Sequence, residues 1–457
     1  MRIAVSKPLF AWDELEDNPS LRTLQRLLDA LPDGALLEGL RTWRGRGRDD
    51  YPVHVLWGVL ILTIALRHYT IEACLDELRR NRELRRLIDI RSERRVPKKW
   101  NISRFLEVLG QEPHRTQLRA VFDTMAQRLG RAVPDLRRDA AGDATTLNAR
   151  RKRQDAAAAS ERAEGLPQPS GGRKEYTNDD GTVSRVLEWF GYKLHLLVDV
   201  KHEVSLAYHV TDTKAGDGET LPTILQQAQA NLPPGRIKTL AYDKAADSND
   251  VHALLDQAGI KPLIQNRKLW KEELEKMLPG HDGNSNVVYD EAGTLHCYDR
   301  VSQPIVRRPM AYTGYEHERG TLKYRCPAVH EGWSCPSESV CNAGRPFGMS
   351  VRVKRDIDLR RFPPIPRATK QFERLYNGRT AVERVNGRLK IFWGADDGNI
   401  RGARRFHAFV GCVMAVHLAF ATVLAGTPRR EGTLGKMRLS PIARALQEEF
   451  TAMPRAG

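Results

Sequence analysis

The sequence predicts an α+β protein in which a helical N-terminal domain precedes a mixed-sheet core, and a cysteine-containing insertion interrupts that core. Apolar residues recur at helical spacing through residues 1–130, and β-rich runs alternate with two helical patterns through residues 131–267. Four of the six cysteines fall within residues 268–366. The core is expected to resume over residues 367–430, and a basic tail is expected over residues 431–457.

The chain carries a strong excess of positive charge. Its 457 residues include 73 Lys and Arg against 57 Asp and Glu, which gives a net charge of +16 and a pI near 9.7. This balance is typical of proteins that bind nucleic acid, although it also favours general solubility. The N-terminus lacks the charged and apolar regions of a signal peptide, so we expect a cytoplasmic protein whose cysteines are free thiols or metal ligands.

The helical N-terminal domain contains a basic connector. An apolar run over residues 53–66 is too short to span a membrane and is expected to be a core helix. Residues 91–100, RSERRVPKKW, then place Arg94, Lys98 and Lys99 close to a tryptophan. This connector either contacts the phosphates of a DNA backbone or forms a solvated charged surface.

The core is expected to follow the order β-β-β-α-β-α-β, which indicates a mixed sheet with helices packed on it. Its first three strands are predicted in LRRDAAGDATTLNA, WFGYKLHLLVDV and VSLAYHVTD. The polar segment 150–188 is expected to be a mobile loop between the first two strands that becomes ordered on DNA. The apolar run at 409–426 is predicted to be a buried core helix and not a membrane span.

Three carboxylates stand out by position in this basic chain. Asp143 ends the first predicted strand, Asp243 ends the fourth, and Glu383 follows the insertion. A lone acidic residue at a strand end often only caps the next turn. Phosphodiester chemistry, however, needs this set of residues, because two Mg²⁺ ions about 3.5–4 Å apart can hold the reacting phosphate through carboxylate ligands. The arrangement therefore predicts a metal-dependent site for phosphoryl transfer.

Residues 376–390, YNGRTAVERVNGRLK, contain Tyr376, Arg379, Glu383 and Lys390 in the pattern Y-x2-R-x3-E-x6-K. On one continuous helix these four side chains would fall within about 60° of arc. Two alternatives exist: the two Asn-Gly pairs also suit turns around a short strand, and Thr380-x-x-Glu383 suits a capping box. Whether Tyr376 and Arg379 belong to the helix or to a turn before it is open at this level.

With this pattern the chain resembles the DDE transposases of bacterial insertion sequences, in the group that carries the Y-x2-R-x3-E-x6-K (YREK) signature. GYKLHLLVD at 191–199 and AYDKAADS at 241–248 resemble the family's second strand and second-aspartate region. YPVHVLWGVLILTIALRHYTIEACLDELRRN resembles its helical N-terminal domain. The likeness covers roughly residues 50–425 and is weakest between the first two strands and in the cysteine insertion.

The resemblance implies an RNase H-like catalytic core with Asp143, Asp243 and Glu383 as the DDE triad. These residues would hold two Mg²⁺ ions, for which Mn²⁺ would substitute. Asp139 is a rival for the first position, and Asp143 is preferred because the small polar run ATT follows it, as is usual in the family.

By the same resemblance, Tyr376, Arg379 and Lys390 would position the DNA of the transposon end. The implied function is DNA transposition: a homo-oligomer on double-stranded DNA would bind terminal inverted repeats, cut at the ends and join the 3′-OH to target DNA. Two alternatives stay open, a metal-dependent endonuclease without strand transfer and a non-catalytic DNA-binding protein derived from a transposase.

The insertion contains several residues that could bind zinc, among them Cys297, Cys326, Cys335, Cys341, His281, His296 and His330. The cysteine spacing C-x28-C-x8-C-x5-C lacks the paired C-x2-4-C of common zinc modules. Four thiols in one polar insertion nevertheless favour a structural zinc site with the cysteines as ligands. The alternative is that the cysteines are small buried hydrophobic residues.

Overall fold

The computed structural model describes residues 19–46, 51–136, 138–150, 156–178, 182–270, 274–278, 286–299 and 301–426. The predicted basic tail at 431–457 and His281 lie outside the described residues.

The described N-terminal part is helical, as the sequence predicts. Its helices are α1 Pro19–Ala30, α2 Gly34–Arg44, α3 Val53–Ala65, α4 Ile71–Arg80, α5 Arg82–Arg86, α6 Lys99–Leu109 and α7 His114–Ala132. Helix α3 is apolar on all sides and is buried almost throughout, because other helices surround it. Helix α4 begins after Thr70, whose hydroxyl oxygen accepts a hydrogen bond from the backbone N–H of Ala73 at 3.1 Å.

A mixed sheet follows the helices. Its elements are β1 Asp139–Asn148, α8 Ala156–Ala163, β2 Ser170–Thr177, β3 Val183–Asp199, β4 Ser205–Thr211, α9 Asp217–Ala230, β5 Thr239–Tyr242, α10 Asn249–Gln257 and β6 Lys261–Ile264. The strands lie in the order β4-β3-β1-β5-β6, and β2 pairs with the first half of β3. Strands β1, β5 and β6 are parallel, whereas β3 runs antiparallel to both β1 and β4. This arrangement confirms the predicted α+β class with an RNase H-like core.

The prediction of one mobile loop over residues 150–188 is wrong for its described part. That part contains α8 and β2, and β3 already begins at Val183. Strand β2 pairs with residues 183–191 of β3 as a two-stranded ribbon whose side chains are largely exposed. A ribbon exposed on both faces needs no alternation of apolar and polar residues, so the usual strand signal is missing from the sequence.

The insertion is a β-rich unit of two small sheets. One sheet has β7 Glu275–Met277, β8 Val287–Asp290, β9 Leu295–Asp299 and β10 Val306–Pro309, and the other has β11 Ala311–Glu316, β12 Thr321–Arg325 and β13 Ser350–Lys354. Two short helices, α11 Pro327–Glu331 and α12 Glu338–Cys341, lie between β12 and β13. The described part of the insertion has its own small hydrophobic core, separate from the main one.

The chain returns from the insertion through α13 Lys370–Tyr376, α14 Thr380–Ile391 and α15 Ala403–Ala425. Helix α15 packs against α1, α3, α6, α7 and β4, so the N-terminal helices and the sheet share one hydrophobic core. Among the described helices, α15 is the one long and apolar enough to cross a membrane, but 78% of its apolar stretch is buried inside the fold. This burial is what a core helix requires.

Candidate active site

The register between β1 and β5 brings two aspartates to the same level of the sheet. The parallel pairing matches Ala140 with Leu240 and Ala141 with Ala241. Each strand reaches an aspartate two residues later, so Asp143 and Asp243 lie at equivalent positions on neighbouring strands.

Gly142 permits this close approach of the strands. A Cβ atom at this position would lie 2.1 Å from Cε2 of the Tyr242 ring, which is fully buried. Any larger residue would therefore push β1 and β5 apart just before the two aspartates.

The segment that holds the glutamate is helical throughout, so the alternative of two turns around a strand is wrong. Tyr376 is the last residue of α13, Arg379 ends a 3-10 turn at Asn377–Arg379, and Glu383 lies in the first turn of α14. The 3-10 turn packs against β1 and β5. The structure thus answers the open question: Tyr376 and Arg379 precede the glutamate helix and do not belong to it.

The capping box considered for Glu383 does not form. The hydroxyl of Thr380 donates to the backbone carbonyl of Asn377 at 3.0 Å, and the Glu383 carboxylate accepts from the side chain of Arg379 at 2.8 Å. The Glu383 side chain is 51% exposed. The Glu383 carboxylate therefore faces Arg379 and solvent and does not cap the start of α14.

Arg379 contacts two of the three carboxylates and lies within electrostatic range of the third. Its Nη1 atom lies 3.6 Å from Oδ2 of Asp143, and its Nη2 atom donates to Glu383. Its charge also interacts with Asp243 and with Tyr376, which makes a side-chain hydrogen bond with it. The structure therefore gathers Asp143, Asp243 and Glu383 around one guanidinium group.

The site disfavours the charge on Asp143. Burial, together with the nearby charges of Asp217 and Asp243, raises the pKa of Asp143 to about 6, although a backbone hydrogen bond and Arg379 act in the opposite direction. Asp243 accepts a hydrogen bond from the backbone N–H of Lys244 at 2.6 Å. A cation between these carboxylates would relieve their repulsion.

The residues present fit a divalent cation by charge and by ligand type. Asp143, Asp243 and Glu383 offer carboxylate oxygens, which Mg²⁺ prefers as ligands. In the described part of the chain, no group of three or more His, Cys, Asp or Glu side chains is placed so that it could hold a metal ion. In the triad, the guanidinium of Arg379 provides the positive charge that faces Asp143 and Glu383.

Lys390 lies away from the three carboxylates. It is seven residues beyond Glu383 on α14, which corresponds to about 10 Å along the helix. Its Nζ atom lies 3.5 Å from Oδ2 of Asp396, and the same carboxylate accepts a hydrogen bond from the backbone N–H of Asn148. Lys390 is thus placed beside the far end of β1.

The predicted basic connector lies on the surface of the helical part. Arg94, Lys98 and Lys99 are exposed, in the turn before α6 and at its start. Lys99 pairs with Glu72 at 2.6 Å and lines a cavity of about 210 Å³ together with Arg150, which lies just beyond β1. The connector therefore borders a cleft between the helical part and the segment before α15, and this cleft contains the ion pairs Arg67–Asp397 and Lys99–Glu72.

Two family models match the chain. The model described as transposase DDE domain matches residues 136–418, which is more than half of the chain and includes all three carboxylates. The chain belongs to the DDE transposase family. A model described as transposase domain (DUF772) matches residues 10–107 of the transposase, within its helical N-terminal part. A search of curated proteins finds no significant match. The resemblance to the transposases of insertion sequences is thus confirmed.

Sequence reasoning missed Glu203, which orients the glutamate helix of the transposase. Glu203 lies in the turn between β3 and β4, with a left-handed φ of 51° and only 8% exposure. Its carboxylate accepts from Nε of Arg384 at 2.6 Å and pairs with Arg388. Both arginines lie on a face of α14 adjacent to the face that carries Glu383. Their pairing with Glu203 therefore fixes the rotation of that helix. Two arginines spaced i, i+4 were the only signal in the sequence.

Replacing Glu203 with glutamine should lower the free energy of unfolding by about 2–3 kcal/mol, because Arg384 and Arg388 would lose their buried counter-charge. Urea unfolding or thermal melting measures the change. Glu373→Gln on the exposed side of α13 is the matched control and should change stability by less than about 0.5 kcal/mol. Equal stability of the two variants would show that Glu203 does not anchor α14.

Sequence reasoning also missed Asp247, which follows Asp243 by four residues. Its side chain is fully buried. Four groups donate to it at 2.8–3.0 Å: Nε2 of His252, the backbone N–H of Arg267, Nε of Arg360 and Nη2 of Arg367. Arg360 and Arg367 lie where the chain returns from the insertion towards α13. Asp247 therefore ties the loop after Asp243 to the segment that leads to Glu383.

Proposed function

We propose that this transposase binds the terminal inverted repeats of its element, cuts the DNA at the element's ends and joins the 3′-OH to target DNA. The observation that carries this proposal is the convergence of Asp143, Asp243 and Glu383 around Arg379. The spacing within residues 376–390 supports membership of the YREK group. Transposition is the family's activity, and a triad gathered in this way offers the ligands that a two-metal mechanism needs.

The proposed cofactor is a pair of Mg²⁺ ions, for which Mn²⁺ would substitute. Family members generally use divalent metals. Asp143, Asp243 and Glu383 would hold the ions. When bound, such ions neutralise charge on the phosphate and favour ionisation of the attacking hydroxyl.

The protein's own groups would position the DNA for two successive reactions. In the first, water attacks a phosphodiester, the P–O3′ bond breaks, and a 3′-OH is released at the transposon end. In the second, this 3′-OH attacks a target phosphodiester, so that a new P–O3′ bond forms and the target's own 3′-OH leaves. Arg379 and Tyr376, which flank the triad, would contact the phosphate next to the bond that is cut.

Basic residues around the cleft would hold the rest of the DNA. Lys390 lies beside the end of β1, and Lys99 borders the cleft there with Arg150. Arg94 and Lys98 continue the positive surface on the helical part. Contacts of this kind bind the phosphate backbone and depend strongly on salt. Because two ends must be cut together, we propose that the transposase acts as a homo-oligomer on DNA in the cytoplasm, associated with the nucleoid.

The purified full-length protein should cut and join DNA that carries the sequences flanking its gene. With Mg²⁺ or Mn²⁺, labelled duplexes should be nicked at the repeat boundary, and pre-cut ends should be joined to a plasmid. Denaturing gels measure both products, and EDTA should abolish both without abolishing binding. These two assays test the proposed cleavage and joining separately.

The two alternatives give different results in the same assays. A plain endonuclease would cut the ends but would not join pre-cut ends to the plasmid. A non-catalytic derivative would shift the labelled duplex in a native gel and would do neither. Either result would overturn the proposed strand-transfer activity.

A further inference from the structure

Four thiols of the insertion line one small cavity and are here called the thiol cluster: Cys297, Cys326, Cys335 and Cys341. The cavity volume is about 20 Å³, which is close to the size of a single atom or water. The Cys297 thiol lies within electrostatic range of the other three sulfur atoms. Cys326, Cys335 and Cys341 lie within one segment of the chain, and the fold of the insertion brings Cys297 of β9 to them.

We propose that the thiol cluster is a structural zinc site. Four cysteine ligands are a common set for structural zinc, and the soft sulfur atoms select this metal over Mg²⁺. Among the described residues, no group of three or more His, Cys, Asp or Glu side chains is placed so that it could hold a metal ion. Binding would therefore require the thiols to turn towards a common centre, with Zn–S distances of about 2.3 Å.

The surroundings of the thiol cluster match those of bound thiolates. The side-chain amide of Asn286 donates to Sγ of Cys341 at 3.6 Å, and that of Asn342 donates to Sγ of Cys326 at 3.8 Å. Donors to sulfur stabilise the negative charge of a metal-bound thiolate. Arg308 also lines the cavity and would offset the net negative charge of zinc with four thiolates.

The other candidate ligands have partners of their own. Asp299 lines the cavity, but its carboxylate accepts hydrogen bonds from Ser302, Ser337 and the backbone N–H of Val301. His296, which the sequence suggested as a ligand, lies 3.2 Å from Asp290 through its Nε2 atom. His330 is absent from the described lining of the cavity. The thiols are therefore the groups with capacity for a metal.

The position of the cluster explains why a metal is needed there. Cys297 lies on β9 of one sheet, and Cys326 follows β12 of the other. Cys335 precedes α12, and Cys341 is the last residue of that helix. Helices α11 and α12 have only five and four residues, and Val340 and Phe347 next to them are 78% and 74% exposed. Helices this short are not stable alone and bury little apolar surface here. A zinc ion would fasten this segment to both sheets.

Metal analysis of the full-length protein, purified without chelator, tests the proposal. We expect about one zinc ion per chain, and a Co²⁺-substituted sample should show the absorption bands of tetrahedral thiolate coordination. Cys335→Ser should remove the metal, whereas Cys74→Ala in the buried core of the helical part should retain it. Asp243→Ala should also retain the zinc, which separates this site from the triad.

Three outcomes would overturn the proposal. The first is a protein without zinc whose six thiols all titrate under denaturing conditions. The second is a pair of disulfide bonds within the thiol cluster. The third is zinc that Cys335→Ser leaves unchanged, which would mark the metal as bound elsewhere. The Co²⁺ spectrum of the unmutated protein decides the question even if Cys335→Ser fails to fold.

Discussion

Replacing Asp243 with alanine is expected to abolish DNA cleavage while leaving binding of the transposon end largely intact. Asp243 lies at the same sheet level as Asp143 and within range of Arg379, so the substitution removes one of three proposed metal-binding carboxylates. Its side chain makes one local hydrogen bond, to the backbone N–H of Lys244, and the loss of that bond should hardly disturb the fold. Metal ions contribute several kcal/mol to the transition state, so the cleavage rate should fall by about 10³-fold or more.

The matched control for this experiment lies on β1, four residues before Asp143. Oδ1 of Asp139 accepts a hydrogen bond from the hydroxyl of Thr239 at 2.7 Å. Asp139→Asn keeps that acceptor and should retain cleavage, whereas Asp143→Asn should lose it as Asp243→Ala does. Rates are measured in single-turnover cleavage of a labelled end, and affinities in gel shifts. Normal cleavage by Asp243→Ala would contradict the proposed mechanism. Loss of cleavage in Asp139→Asn but not in Asp143→Asn would assign the proposed metal-binding role to Asp139 instead of Asp143.

The fold class was predictable because its determinants are local in sequence. Apolar periodicity marked the N-terminal helices, and the buried strands β1, β3, β4 and β5 carried β-rich runs. The ribbon of β2 with the start of β3 was not predictable, since strands that bury neither face lack a hydrophobic pattern. The two sheets of the insertion were also missed because their strands are short and pair within a small separate core.

The candidate site was predictable in its residues but not in its contacts. Acidic residues at predicted strand ends and the spaced pattern around Glu383 indicated which groups to examine. Asp243 does follow the end of β5, but the prediction that Asp143 ends its strand is wrong, because Asp143 lies in the middle of β1. That Arg379 would contact Asp143 depends on a 3-10 turn packed across β1 and β5, and no local pattern specifies such packing. The distance of Lys390 from the triad was missed because a projection down the helix axis shows the shared face and leaves out the rise of about 10 Å along α14.

The supporting groups could not be predicted, because their partners are far apart in the sequence. Asp247 bonds to Arg360 and Arg367, which are more than a hundred residues away across the insertion. Glu203 likewise pairs with Arg384 and Arg388 of α14, which are more than a hundred residues away. Such contacts follow from the tertiary fold alone. They also show how an insertion can be accommodated beside the site: the two chain ends that flank it are fastened to the loop after Asp243.

Replacing Asp247 with asparagine should therefore destabilise the transposase and loosen Asp243. The substitution leaves two buried arginines without a counter-charge, which typically costs about 3–5 kcal/mol of folding free energy. Thermal melting measures this loss, and the exposed Asp250→Asn on α10 is the control, which should melt like the unmutated protein. In cleavage assays below the melting temperature, Asp247→Asn should require more Mg²⁺ than the control, because the loop that carries Asp243 is less fixed.

The stability of the fold, measured as the pH is lowered, tests the contribution of the Asp247 charge separately from the packing of its side chain. Burial alone would raise the pKa of Asp247, but the hydrogen bond from His252 and the charge of Arg367 lower it to about 2, against an ordinary value of 3.8. A depressed carboxyl pKa stabilises the fold at any pH above the unfolded value, and this contribution is lost as the pH falls from about 4 to 2. Asp247→Asn should lose that part of the pH dependence, whereas Asp250→Asn should keep it. An Asp247→Asn protein with unchanged melting temperature, acid stability and Mg²⁺ requirement would show that this buried cluster does not hold the site together.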